Sequence, residues 1–142
     1  MSPDPLPAAP PSALDGLPRD LPALARAELI GAKAASVGFD WPTIDGVIAK
    51  VREEVDELAV AVAGGDRGEA AEELGDLLFA VCNLARHLSV PAERCAHDAG
   101  TKFARRFRAL EARLASEGVA MQDCSIDRLE AGWIAVKREE RG

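Results

Sequence analysis

Residues 50–58 read KVREEVDEL and residues 72–79 read EELGDLLF, with a connector of sequence GGD at 64–66 between them. Around the first segment, apolar side chains recur every three or four residues, the period of an amphipathic helix; they are Ile44, Val47, Ile48, Val51, Val55, Leu58 and Val62. The second segment has the same period, carried by Leu74, Leu77, Leu78, Val81, Ala85 and Leu88. Because the connector is short and rich in glycine, we predict an antiparallel helical hairpin.

Acidic pairs occupy corresponding positions on the two predicted helices, Glu54 with Glu57 and Glu73 with Asp76. An α-helix turns 100° per residue, so the first acid of each pair lies roughly 80° and the second roughly 140° around the helix from the apolar stripe. Both pairs lie on the same rotational side of their stripes. Glu57 and Glu73 are equally far from the connector along the chain, and Glu54 and Asp76 are equally far from it as well. The four carboxylates are therefore predicted to lie at one level, roughly 12 to 17 Å from the turn. The handedness of the hairpin decides whether they face inward, and the sequence leaves that open.

Four neighbouring carboxylates raise one another's pKa unless a cation lies among them. Oxygen ligands without Cys or His suit a hard ion such as Mg²⁺, with Mn²⁺ as a substitute. The alternative is a solvated acidic helix face, which is what most charged runs form. The agreement of angle, hand and height favours a metal site formed by Glu54, Glu57, Glu73 and Asp76.

The order of these acids resembles the ExxE…ExxD signature of MazG-type nucleoside triphosphate pyrophosphohydrolases. The resemblance covers about residues 24 to 140 and includes further segments, namely VGFDWP at 37–42, GDLLF at 75–79, NLARH at 83–87, KFARRF at 102–107 and Trp133. It implies an all-α fold, Mg²⁺-dependent hydrolysis of a (deoxy)nucleoside triphosphate to the monophosphate and pyrophosphate, and a homodimer with the nucleotide near its interface. Gly100 and Gly31 depart from the family pattern, which questions substrate preference more than activity.

Basic residues are the candidates for binding the phosphates. By spacing alone, Lys102, Arg105 and Arg106 form either an ion-pairing face or a polyphosphate clamp, and the resemblance favours the clamp. Lys50 lies one turn before Glu54 and could reach a phosphate or pair with that carboxylate.

Two further site assignments rest on position. Glu53, or alternatively Glu72, could orient or deprotonate the attacking water, and Glu53 is the better candidate unless it simply faces solvent. Trp133 could belong to the core or form a platform for a nucleobase, and its match to the family favours the platform.

Composition limits the class of protein. The chain has 142 residues, of which 48% are hydrophobic and only 4% aromatic, a balance that favours a helical bundle over a sheet. The net charge of −7 argues against general binding of nucleic-acid polymers. Three widely spaced cysteines fit free thiols in a reducing cytosol, and neither a signal sequence nor a membrane-spanning run is apparent. We therefore expect a soluble cytoplasmic enzyme.

Helix signals divide the chain into a tail and one domain. Residues 1–19 contain six prolines and are predicted to be a disordered tail, followed by a MazG-like domain at 20–142. Within it we predict a bundle of four to five helices. The first is capped by Asp20, the second starts at Thr43 or Asp45, and the third ends near Ser89. The fourth runs from Pro91 to about Glu117, and the last is capped by Ser125 or Asp127. Wide apolar stripes leave surface to cover, so we expect dimerisation to complete the bundle.

Two other functions compete with general pyrophosphohydrolase activity. One is a close relative specialised for a single nucleotide such as dUTP. The other is a helical interaction module that has no catalytic role and whose acids are only solvated.

Overall fold

The computed structural model describes residues 4–6 and 8–142. They contain helices and no β-strand, so the predicted all-α fold is confirmed; the helices are α1 (Ala23–Ala35), α2 (Ile44–Gly64), α3 (Arg67–His87), α4 (Ala92–Ser116) and α5 (Ile126–Arg141), with a 3₁₀ turn at Met121–Asp123. None of these helices combines the length and apolarity that crossing a lipid bilayer requires. The chain divides into two compact units, Met1–Arg94 and Cys95–Gly142.

Helix boundaries follow the sequence signals closely, with one correction. Asp66 caps α3 by accepting hydrogen bonds from the backbone N–H groups of Gly68 and Glu69, and Ser125 caps α5. Asp20 does not cap α1, because that helix begins at Ala23 with Pro22 in the capping position. Of the predicted tail, residues 1–3 and 7 lie outside the described residues, and 8–22 contain a turn at 13–16 but no helix.

In the first unit, α3 packs against both α2 and α1. The buried side of α2 follows Val47, Glu54 and Ala61, which are spaced seven residues apart. Ala61 of α2 and Ala80 of α3 are both buried. Part of each predicted apolar stripe is left uncovered, because the contact between the helices lies closer to the acids than the stripes suggested. The stripe residues that are at least 40% exposed are Val55, Val62, Leu74, Leu78, Val81 and Leu88.

An ion-pair cluster ties the connector between α1 and α2 to the end of α3. The carboxylate of Asp40 accepts hydrogen bonds from both terminal nitrogens of Arg86, each at 2.8 Å, and lies 2.9 Å from Nε2 of His87. The Arg86 guanidinium keeps the pKa of Asp40 far below its usual range. Asn83, which is buried, accepts a further bond from Arg86. Asn83 and His87 therefore have structural roles in this cluster.

The second unit is held together by side chains from α4 and α5. Leu110, Leu114 and Val136 are buried together, with Leu129 and Trp133 packed against them. Phe103 follows the helical period of Leu110 but is not part of this core, since 56% of the residue is exposed.

Two helical glycines differ in what surrounds them. A Cβ at Gly31 would lie 2.2 Å from Oδ1 of Asn83, so α1 needs glycine there to approach α3. At Gly75 a Cβ would meet nothing within 4 Å among the described residues, so no neighbouring atom there requires glycine.

The same substitution at the two glycines should therefore have opposite effects on stability. Gly31→Ala should lower the free energy of unfolding by about 1–3 kcal/mol, because it forces Asn83 out of place. Gly75→Ala should raise it by about 0.5–1 kcal/mol, because alanine is the better helix former. Urea denaturation followed by circular dichroism measures both values. Equal effects of the two changes would contradict the close packing of α1 on α3.

Candidate functional site

Three acidic side chains meet where α2 and α3 lie antiparallel. Glu54, Glu57 and Glu73 each offer a carboxylate oxygen, and these oxygens all lie within 4.8 Å of one another. Glu54 and Glu57 are one turn apart on α2, and Glu73 comes from α3. The hairpin therefore brings three of the four predicted metal ligands together, as the equal distances from the connector predicted.

Glu54 is the most buried member of this group, with only 5% of the residue exposed. Its Oε1 pairs with Nζ of Lys50 at 3.0 Å, whereas Oε2 is buried and has no hydrogen-bond partner among the described residues. Oε2 of Glu73 is likewise buried and has no hydrogen-bond partner among the described residues. Buried carboxylate oxygens without partners are costly, and a cation is one group that removes this cost.

Glu57 experiences electrostatic repulsion from the neighbouring carboxylates. The negative charge of Glu54 raises the pKa of Glu57, and burial and a hydrogen bond with Glu73 act in the same direction. Repulsion of this kind is expected where carboxylates share a site. The arrangement therefore favours either a proton or a cation within the group.

The remaining candidates of the first unit lie beside this group. Asp76 is exposed, one turn beyond Glu73, and is not among the three acids whose oxygens converge. Nζ of Lys50 lies 3.3 Å from Oε2 of Glu53 as well as beside Glu54, and these hydrogen bonds raise the pKa of Lys50. Lys50 thus forms the ion pair that the sequence offered as an alternative to phosphate binding, and the side chain of Glu53 is 56% exposed.

The basic candidates belong to the second unit. Nε of Arg105 lies 2.9 Å from one carboxylate oxygen of Glu140, and Nε of Arg106 lies 2.8 Å from the other. Hydrogen bonds from Arg105 and then Arg106 lower the pKa of Glu140 to about 2, so Glu140 is charged at neutral pH and offsets part of their positive charge. Lys102 is exposed and has no ion pair within the described part of the chain.

Aromatic rings in the second unit form a small cluster. The ring of Phe103 lies 5.1 Å from that of Trp133 and 5.9 Å from that of Phe107, measured between centroids. Together with aliphatic side chains and Glu130, they line a pocket of about 370 Å³. Sequence reasoning named neither Phe103 nor Glu130 as a residue that lines a pocket. The signal that could have found Glu130 is its position three residues before Trp133, on the same side of α5.

Comparisons with known proteins identify similar sequences. Residues 43–110, which include all four predicted ligands, match the family described as MazG nucleotide pyrophosphohydrolase domain. The chain is 47% identical over 131 residues to a nucleoside triphosphate pyrophosphohydrolase of Escherichia coli K12, covering 91% of this chain and 50% of that protein. It is 38% identical over 117 residues to the nucleoside triphosphate pyrophosphohydrolase/pyrophosphatase MazG of Thermotoga maritima, covering 82% of this chain and 45% of that protein.

A shorter match joins the chain to a third protein. It is 37% identical over 69 residues to the uncharacterized protein YabN of Bacillus subtilis, covering 49% of this chain and 14% of that protein. The chain spans about half the length of the first two relatives. Because residues 43–110 match the family and contain the acidic hairpin, this part of the protein is a MazG nucleotide pyrophosphohydrolase domain.

Proposed function

We propose that this chain hydrolyses (deoxy)nucleoside triphosphates to the monophosphate and pyrophosphate with a divalent cation, Mg²⁺ or in its place Mn²⁺. The single observation that carries the proposal is that Glu54, Glu57 and Glu73 each bring a carboxylate oxygen into one group, while Glu54 is buried and one of its oxygens has no hydrogen-bond partner among the described residues. The names of the E. coli and T. maritima relatives support the same reaction. We assign the activity to residues 20–142 acting as one domain in the cytoplasm.

The oxygen-only ligand set fits Mg²⁺. Glu54, Glu57 and Glu73 would hold the ion directly, and Asp76, which is exposed one turn further along α3, would join them by rotating its side chain. A bound ion would offset the phosphate charge and make a nearby water more acidic. Without an ion, the three acids repel one another, which the raised pKa of Glu57 indicates.

The other side chains would position the reactants. Glu53, exposed and beside the acidic group, would take a proton from the attacking water, whose oxygen forms a bond to the α-phosphorus. The bond between that phosphorus and the bridging oxygen breaks, and pyrophosphate leaves. Lys50, Lys102, Arg105 and Arg106 would hold the phosphate oxygens, and Trp133 would stack on the base. For the two arginines, a phosphate would have to displace the carboxylate of Glu140.

We further propose that the protein is a homodimer. On α2, Glu54 has apolar neighbours on one side, Val55 and Val62, and Glu57 on the other. On α3, Glu73 likewise has Leu74 and Val81 on one side and Asp76 on the other. Antiparallel packing places both apolar flanks on one face of the hairpin, and these side chains are exposed. Such a face favours a second copy as its cover. Sedimentation velocity tests this, and a species of 15.0 kDa alone would contradict it.

Replacing Glu57 should distinguish the repulsion among the acids, seen in the stability of the metal-free protein, from metal binding, seen in the gain of stability with Mg²⁺. Glu57→Gln should make the metal-free protein more stable, because one of the repelling charges is lost. Since the pKa of Glu57 is raised in the folded state, the metal-free wild type should also gain stability as the pH falls from neutral toward that pKa, and the variant should lack this gain.

Mg²⁺ should then stabilise the wild type by about 2.7 kcal/mol at a hundred times its dissociation constant, and the variant by much less. Thermal denaturation with and without Mg²⁺ measures both effects. Asp56→Asn is the control, because it removes one charge from the neighbouring exposed residue. A wild type that Mg²⁺ leaves unchanged would indicate a helical module with solvated acids.

Turnover is tested by incubating the protein with each (d)NTP and Mg²⁺ and measuring released pyrophosphate. We expect hydrolysis of several nucleotides, and activity toward dUTP alone would indicate the specialised relative. Glu73→Gln or Asp76→Asn should lower kcat/KM by about a hundredfold or more, since even groups that only orient metal ligands contribute 10–100-fold. Asp56→Asn should retain activity. Unchanged turnover in Glu73→Gln would show that the ligands are assigned wrongly.

A further inference from the structure

One carboxylate pairs with two of the three basic side chains of the second unit that we assign to phosphate binding. Oε1 of Glu140, on α5, accepts a hydrogen bond from Nε of Arg105 at 2.9 Å, and Oε2 accepts one from Nε of Arg106 at 2.8 Å. Lys102 lies three and four residues before the two arginines, on the same side of α4. The two arginines are therefore already paired with an anion of the protein itself.

This contact, which we call the Glu140 bridge, covers the donors that a phosphate would use. The side chain of Arg106 is only 18% exposed and that of Glu140 27%, whereas that of Arg105 is 60% exposed. A carboxylate and a phosphate are both oxyanions that bind a guanidinium through N–H groups. A phosphate that bonded to both Nε atoms would need the position that the Glu140 carboxylate holds. The two anions therefore compete for one place.

The last turn of α5 is held mainly by such ion pairs. Val136 is the last buried residue of this helix, and residues 138–141 are exposed. Besides the Glu140 bridge, Glu139 lies 2.6 Å from a terminal nitrogen of Arg113 on α4. A segment with few buried apolar contacts opens at a low free energy. Loss of the Glu140 bridge should therefore loosen this turn.

We propose that Glu140 is an autoinhibitory residue that competes with the substrate's phosphates for Arg105 and Arg106, and that a bound polyphosphate releases the last turn of α5. This inference rests on the proposed function, which assigns the two arginines to phosphate binding. A triphosphate has several charged oxygens and can pair with both arginines and Lys102, whereas a carboxylate has only two oxygens. Each product of hydrolysis carries fewer charges than the triphosphate, so Glu140 regains the arginines and favours product release.

Inorganic triphosphate tests the competition, because it presents the phosphate chain without a base. Isothermal titration is done without Mg²⁺, so that no ion links the probe to the acids of the first unit. Glu140→Gln should lower the dissociation constant by about fivefold or more, since the probe no longer breaks two ion pairs, each worth up to about fivefold. Glu139→Gln is the matched control, because it removes the same charge from the same turn but breaks only the pair with Arg113.

Hydrogen exchange distinguishes displacement of Glu140 from binding beside it. In the wild type, saturating inorganic triphosphate should speed exchange of the backbone amides of residues 138–141, and in Glu140→Gln these amides should exchange fast without the probe. Unchanged or slower exchange in the saturated wild type would overturn the proposal, because the phosphates would then bind while the Glu140 bridge stays intact. Equal dissociation constants for Glu140→Gln and Glu139→Gln, or no binding to any of the three proteins, would overturn it as well.

Turnover gives a separate readout. Glu140→Gln should lower KM without raising kcat, since losing the competing carboxylate strengthens binding of the substrate and of the transition state equally. A higher KM would show that Glu140 orients the arginines for phosphate and would overturn the proposal. The binding and exchange measurements need no hydrolysis. A chain that meets both expectations but releases no pyrophosphate would thus contradict the proposed function and still support competition at the arginines.

Discussion

The fold of the first unit depends on a carboxylate buried between two antiparallel helices. Burying an ionised carboxylate costs several kcal/mol unless a partner compensates for it. In Glu54 one oxygen has such a partner in Lys50, and the other is buried without a hydrogen bond from any described residue. One of the two oxygens lies within 4.8 Å of oxygens of Glu57 and Glu73. The buried acids therefore cost stability where α2 and α3 meet, unless a cation compensates for them.

The rest of the first unit supports this hairpin. The pair between Asp40 and Arg86 attaches the connector before α2 to the end of α3, so both arms are held at their far ends as well as at the Gly64–Asp66 turn. Gly31 lets α1 approach Asn83 and cover the other side of α3. The sequence suggested that Gly31 bears on substrate preference, whereas its contacts give it a packing role.

Much of this could be predicted from the sequence, because it depends on local periodicity. Equal spacing from Gly65 was sufficient to place Glu57 and Glu73 together. The depth of Glu54 could not be predicted, because it depends on which side of α2 contacts α3, and Val55 and Val62 suggested a different side. The bridge from Arg105 and Arg106 to Glu140 was also missed, since it joins residues about 35 positions apart that no local pattern relates.

The central claim is that α2 and α3 share one divalent cation between their carboxylates. The most direct measurement is the anomalous diffraction signal of Mn²⁺ in crystals of the full chain soaked with manganese chloride. We predict one strong peak at about 2.0–2.3 Å from oxygens of Glu54, Glu57 and Glu73, the usual range for hard cations with oxygen ligands. A map with no peak at these carboxylates, at a manganese concentration that fills other sites, would contradict the account.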